Sequence, residues 1–541
     1  MNQTGKPSAF TYADWLAVAV LGIVTLIAAL TFRDYGLGWD DYTHSQYGDL
    51  LLKLYGSGFA DSRALSFVNL YEYGGGFDMT AALAAKILPF DLFETRRLMG
   101  AAVGILGLIV TWRLGRRLGG PVAGLAALVL LAACPLYYGH MFMNAKDAPF
   151  ATAMAVLLLG LVRAFDEYPQ PSARSMVLAG LGLGLAFGSR ILAGIAAPYG
   201  VAALLLMLFA ETRALGMKPA TQRLGQFAAA MWPSLLVGYL VMGLLWPWSV
   251  IKPLNPIYAA EYFDTFFEKP WRELYEGQLI SVPDMPPSYL PHLFILKLPE
   301  IMLVFGLIGM VCAFVIAARR ATPINRRAGL LTVALAAIFP VALAMVARPA
   351  LYNGLRHFVF VVPPFAALGG LAVGLLAERA MAHGKAALAS LAAIVVAGVS
   401  LPVIGMTRLH PYEYTFFNSL SGGMHEAQKN YMLDYWGLAF KQAADELRQR
   451  LKAANEEPPK GRKWVVAICG PQAAAQVDLG PRFDTTFNEK QADFAMALGT
   501  YYCSYLQSTV LAQIVREGVV YATVYDLRGE PTPKLLTVPP P

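Results

Sequence analysis

Along this chain apolar residues gather into long runs separated by short polar clusters. Each run is about as long as a helix needs to cross ~30 Å of hydrocarbon. Eleven such runs occupy residues 15–32, 98–114, 122–138, 148–164, 176–187, 191–209, 227–248, 301–318, 330–346, 358–376 and 386–406, that at 176–187 being short and Gly-rich. The pattern predicts an α-helical polytopic membrane protein with about eleven transmembrane helices. The first run is long for a secretory signal and more spans follow it, so it reads as a retained anchor.

The gaps between runs alternate in charge. Arg113, Arg116 and Arg117, then Arg163 and Arg174, Arg213, Lys218 and Arg223, Arg319, Arg320, Arg326 and Arg327, and finally Arg379 and Lys385 fall in every second gap. By the positive-inside rule those gaps are cytoplasmic. The N-terminus is then cytoplasmic, and an odd number of spans puts the C-terminus on the exterior or periplasmic side of an inner (plasma) membrane. Three long polar segments share that exterior side, so the expected division is a transmembrane module at 1–407, with exterior loops at 33–97 and 251–298, and an exterior domain at 408–541. In the first loop, "SQYGDLLLKLYGSG" predicts a helix lying in the interface. The second loop is rich in Pro and aromatic residues, "WPWSVIKPLNPIYAAEYFDTFF", as suits headgroup depth. The tail reads as a small α/β domain: a helix near 438–454, strands in "KWVVAIC", "ADFAMALGTYY" and "VVYATVYDL", a second helix near 505–517, and a loose Pro-rich end, "PTPKLLTVPPP".

Composition excludes other classes. With 57% hydrophobic and 15% charged residues, a chain of 541 has too little polar surface to cover a soluble globule. The net charge of +7 is spread over loops with no aromatic-interleaved patch, so it marks topology and argues against a nucleic-acid partner. No Walker loop, GxSxG or HExxH occurs. Of four cysteines, Cys134 and Cys312 fall in spans, whereas Cys469 and Cys503 end expected strands of the exterior domain. If those strands are neighbours, ~4.8 Å apart, the two thiols can bridge.

Candidate chemistry lies at the outer ends of the spans: Asp40, Asp41 and His44 in "WDDYTH"; Asn144, Lys146 and Asp147 in "NAKDAPF"; Lys297 in "HLFILKLPE"; Arg356 and His357 in "RPALYNGLRHF"; Tyr412, Glu413 and Asn418 in "HPYEYTFFNSLSGG". Each cluster has a plainer role available. Asp is a favoured helix cap, Lys146 with Asp147 can be an interfacial ion pair, Arg356 with His357 a boundary anchor, Lys297 a snorkelling side chain, and Glu413 and Asn418 hydrogen bonders that order a loop. Independent boundary residues should nevertheless scatter over both faces, and these concentrate on one.

Taken together, the acidic pair after the first run, "NAKDAPF", "PHLFILKLP", "LRHFVFVVPPFA" and "HPYEYTFFNSLSGG" followed by "DYWGLAFKQA" resemble the GT-C membrane glycosyltransferases. The likeness is to the family 39-like group of protein O-mannosyltransferases and aminoarabinose transferases, and it spans residues 15–443. The Asp-Asp pair departs from the group's commoner Asp-Glu, which leaves open which acid is the base. The resemblance implies a polyprenyl (undecaprenyl) or dolichyl phosphate-linked sugar donor, a lipid, glycan or protein acceptor, and transfer on the exterior face with inversion. Such chemistry needs a carboxylate base and cations for the leaving phosphate. Asp40 or Asp41 can be the base. Asp40 matches the group's first acid, and His44 lies one helical turn on, able to hold or tune it. Arg356, supported by His357, and Lys297 or Lys146 can clamp the phosphate. Asp147 orients the acceptor or shares a divalent metal with Asp40. Asn144, Tyr412, Glu413 and Asn418 remain as acceptor or cavity residues. The alternative class is a non-catalytic transporter or lipid-binding scaffold, which would show a polar path continuing to the cytoplasmic side.

Overall fold

The computed structural model describes residues 10–264, 271–503 and 506–529. The Pro-rich C-terminal end and the last residues of the aromatic stretch in the second loop lie outside the described residues. Among those described, nine helices are long and apolar enough to cross a membrane. One of them, Leu92–Ala132, is two antiparallel helices: Gly120 (φ 85°, ψ −174°) precedes Pro121 and turns the chain back. As a consequence a Cβ on Gly124 would lie 2.9 Å from the Trp112 carbonyl oxygen, although twelve residues of straight helix would separate them by ~18 Å. Adding the shorter Ala173–Phe187 helix accounts for all eleven runs. The expected run at 122–138 is cut at Cys134, where Pro135 starts a separate helix, Pro135–Met143.

In chain order the first helices are α1 (Tyr12–Thr31), α2 (Asp41–Gly56), α3 (Gly76–Ala84), α4 (Leu92–Ala132) and α5 (Pro135–Met143). They are followed by the span α6 (Asp147–Asp166). The expected helix in the first loop is thus α2. Lys385–Leu409 and α1 leave most of their surface uncovered, whereas Arg356–His383 is almost wholly enclosed by neighbours. This is the order expected of peripheral and central spans in lipid.

Two sheets complete the chain. A hairpin pairs β1 (Arg272–Tyr275) with β2 (Gln278–Ser281). A five-stranded sheet has the order β4-β3-β5-β7-β6, built from β3 (Trp464–Cys469), β4 (Phe483–Thr486), β5 (Phe494–Leu498), β6 (Thr509–Arg516) and β7 (Val519–Asp526). β3 lies parallel to β4 and β5, and β7 antiparallel to β5 and β6. The helix expected near 438–454 is Phe440–Ala453, but that expected near 505–517 is strand β6. Glu517 and Gly518 both have positive φ, 48° and 76°, the geometry of a two-residue hairpin turn, and it folds β6 onto β7. Cys469 and Cys503 are joined in a disulfide with Cα atoms 5.6 Å apart; Cys503 sits in the turn after β5 rather than on a strand.

The sheet is tied to the helical part by the segment after the last span. Tyr412 stacks on Tyr521 with ring centres 4.8 Å apart, Thr415 hydrogen-bonds the Tyr521 hydroxyl at 2.7 Å, and Arg516 Nε donates to the His410 carbonyl at 2.9 Å.

Candidate active site

The two adjacent carboxylates at the start of α2 have different surroundings. Asp41 accepts the Gly38 N–H at 2.8 Å and a two-pronged contact from Arg97, 2.9 Å to Oδ1 and 2.7 Å to Oδ2. Arg97 also donates to the carbonyls of Gly36 and Phe142. All of this is buried, so Asp41 ties the first loop to α4. Asp40 stands at the cap position of α2 but makes no capping hydrogen bond. Its side chain, 44% exposed, opens into a cavity of about 260 Å³. The nearest cation is Arg356, with Nη1 3.9 Å from Oδ2.

Around the same cavity stand three cations. The guanidinium of Arg356 lies 4.5 Å from the centre of the Tyr352 ring and 5.0 Å from that of Trp436, and its Nε donates to His357 Nε2 at 3.2 Å. Lys146 places its ammonium 3.9 Å from the centre of the Tyr73 ring. It has no ion-pair partner among the described residues, because Asp147 pairs instead with Arg190 at 2.6 Å. Asn144 orders this turn: its Oδ1 accepts the backbone N–H groups of Lys146 and Asp147, and its amide donates to the Asp147 carboxylate at 2.8 Å. His140, one turn earlier, is bonded to the Tyr435 hydroxyl at 2.9 Å.

The electrostatics follow from this crowding. Burial raises the Asp40 carboxyl, but Lys146 and Arg356, helped by His44 and Arg190, outweigh it and hold the group below the usual carboxylate range. Burial lowers the Lys146 ammonium to about 8, with Asp40 pulling the other way. Asp41 and Asp147, which also line the cavity, are matched by Arg97 and Arg190, so Asp40 is the carboxylate left facing Lys146 and Arg356, an arrangement that suits an anionic ligand.

Of the residues singled out in the sequence, Asp40, Asp41, His44, Asn144, Lys146, Asp147, Arg356 and His357 line this one cavity. His44 does not hold Asp40; its Nδ1 is bound to Asp78 at 2.6 Å. Four expected site residues lie elsewhere. Lys297 is buried over the Phe417 ring, 4.2 Å from its centre, where burial lowers its ammonium to about 7, and it does not reach the cavity. Tyr412 donates to Gln442, Glu413 accepts from Tyr35 and contacts His410, and Asn418 donates to the carbonyls of Ile295 and Leu298. These contacts fasten the segment after the last span, and none of the four residues lines the cavity.

The site does not fit a divalent metal. Asp147 is matched by Arg190 and Asn144, Asp40 faces Lys146 and Arg356, and no group of three His, Cys, Asp or Glu side chains that could hold an ion exists among the described residues.

Arg190, Tyr73, Tyr352 and Trp436 also line the cavity and were not anticipated. Arg190 had a legible signal: it is a lone Arg in a short gap that the charge alternation assigns to the Arg-poor side. Trp436 comes from "DYWG", far along the chain. A Cβ on Gly38 would lie 1.6 Å from its Cδ1, so only Gly allows this approach, and the Trp39 N–H donates to the Trp436 carbonyl at 3.2 Å.

A polytopic helical membrane protein with a small C-terminal sheet and a cationic cavity between its span-connecting segments is thus defined. Residues 77–236 match the family model of dolichyl-phosphate-mannose-protein mannosyltransferases. No curated protein sequence matches the chain. Among solved structures it is similar to ArnT from Cupriavidus metallidurans bound to undecaprenyl phosphate, at 17% identity and a TM-score of 0.47, covering 95% of this chain and 98% of that one. It is also similar to the archaeal oligosaccharyltransferase AglB from Archaeoglobus fulgidus in complex with an inhibitory peptide and a dolichol-phosphate, at 14% identity and a TM-score of 0.48, covering 91% and 70%.

Proposed function

We propose that this protein is a glycosyltransferase that moves a sugar from a polyprenyl-phosphate donor to an acceptor, with inversion at the anomeric carbon, on the exterior face of the membrane. The observation that carries this reading is the unpaired Lys146 beside Arg356, facing the ionised carboxylate of Asp40 across one cavity. Lys146 and Arg356 would hold the donor phosphate, with Arg190 adding positive charge; a guanidinium packed against two aromatic rings has fewer orientations to lose on such a contact. Asp40, on the other side, would take the acceptor proton as the acceptor attacks, while the electron pair of the breaking bond leaves with the phosphate. Asp147, held by Arg190 and Asn144, would keep the clamp in place. The donor class named by the family model, a dolichyl-phosphate sugar, is of the kind these cations suit. The lining residues lie in segments between spans or at span ends.

The test is reconstitution. Purified protein in lipid, given polyprenyl-phosphate-linked hexose and pentose donors and an envelope extract as acceptor, should release polyprenyl phosphate and label the extract. Donor left intact across the panel, with the protein folded, would refute the reading.

A further inference from the structure

His44 projects from α2 one turn after Asp40, lines the same cavity and is 3% exposed. Residues four apart on a helix are neighbours, with ~5–6 Å between Cβ atoms. Its Nδ1 lies 2.6 Å from Asp78 Oδ2, and the other oxygen of Asp78 receives Arg96 Nη2 at 2.7 Å. Asp78 and Arg96 are 2% and 1% exposed. With Nδ1 turned to the Asp78 carboxylate, Nε2 is the free end of the ring. Among the described residues Nε2 makes no hydrogen bond.

An Asp–His pair of this kind, anchored from behind by an arginine and open at Nε2, is more than a loop fastener needs. Asp40 alone is a weak base while Lys146 and Arg356 stand beside it. A bound donor phosphate engages those cations and frees Asp40 to accept a proton, but the proton must then be passed on before the next turnover.

Resting on the proposed transfer reaction, we infer that His44, oriented by Asp78, is a second proton-handling residue of the site and receives from Asp40 the proton released by the acceptor. The acceptor heteroatom bonds the anomeric carbon as the bond from that carbon to phosphate oxygen breaks, and the electron pair of the broken bond goes to the phosphate. The acceptor proton passes to Asp40 and then to His44 Nε2. The resulting imidazolium sits against the Asp78 carboxylate until water removes the proton.

The experiment compares parent, His44→Ala and His44→Gln in the reconstituted assay, with and without added imidazole. His44→Ala should lower kcat by about 10²-fold with the donor KM unchanged, and imidazole, which fits the space vacated in the cavity wall, should restore most of the loss. His44→Gln keeps a polar group there but takes no proton, so it should be as slow as His44→Ala. Parental kcat in either variant, or a His44→Ala loss that imidazole does not restore, would overturn the inference. A parent protein that transfers no sugar would instead sink the reaction on which the inference rests.

Discussion

Asp40 and its cations form one charged cluster, and Asp41 with Arg97 forms another directly behind it. Both are anchored on the start of α2. In the second, every carboxylate oxygen of Asp41 has a donor within 3 Å. In the first, the closest approach of carboxylate and guanidinium is 3.9 Å, and Lys146 rests on a ring instead of an anion. A buried pair that satisfies itself fixes structure; charges held apart by the framework leave room for a ligand to complete them. On the proposed reading, neighbouring and chemically identical residues divide into a structural and a reactive one by what completes their hydrogen bonds.

Four substitutions or conditions should separate the two clusters. The largest effect is expected at Asp40. Asn is isosteric and caps helices as well as Asp, so Asp40→Asn should remain folded and bind donor but transfer sugar ~10²–10⁴-fold more slowly. A parental rate would show that the cavity carboxylate is not the base. Next, Asp41→Ala should leave Arg97 buried and unpaired, destabilising the protein by ~3–5 kcal/mol. The check is a thermal melt in detergent, and an unchanged melting temperature would place the anchor elsewhere. Arg356→Ala should weaken donor binding by ~2–4 kcal/mol while the melt hardly moves; equal donor affinity would mark Arg356 as an anchor only. The smallest effect concerns pH. Lys146 has its ammonium pushed down to about 8, so it is charged below that pH and loses its proton above it. Donor affinity should be flat below pH 8 and fall above it, by at most about tenfold per pH unit, and Lys146→Met should flatten the dependence in a titration by calorimetry.

The fold was largely legible. Every apolar run lies mainly in helix, that at 122–138 broken at Cys134, because a chain in lipid must satisfy its backbone within each span. Even the 41-residue helix resolves into the two expected spans, since Gly120 adopts a conformation that other residues avoid. The strand taken for a helix, β6, shows the limit. "TVLAQIVR" has no decisive period, and only pairing with β7 decides its state.

The candidate site was half legible, and the division has a physical cause. Local sequence determined which residue types stood at span ends, so Asp40, Lys146, Asp147 and Arg356 could be named from their place beside the apolar runs. It could not say that Lys146 lacks Asp147 as a partner, because Arg190 reaches Asp147 from a different segment. Nor could it place Trp436 against Gly38, or turn His44 toward Asp78. Tyr412, Glu413 and Asn418 offered the same polar chemistry as the cavity residues, yet folding directs them into loop fastening. Spans, helix starts and the supply of charge follow from hydrophobicity and from neighbours within a few positions, so they could be read along the chain. Which charges are neutralised and which are left facing a cavity depends on contacts between segments far apart along the chain, because the energy of a buried charge is set by its nearest partner.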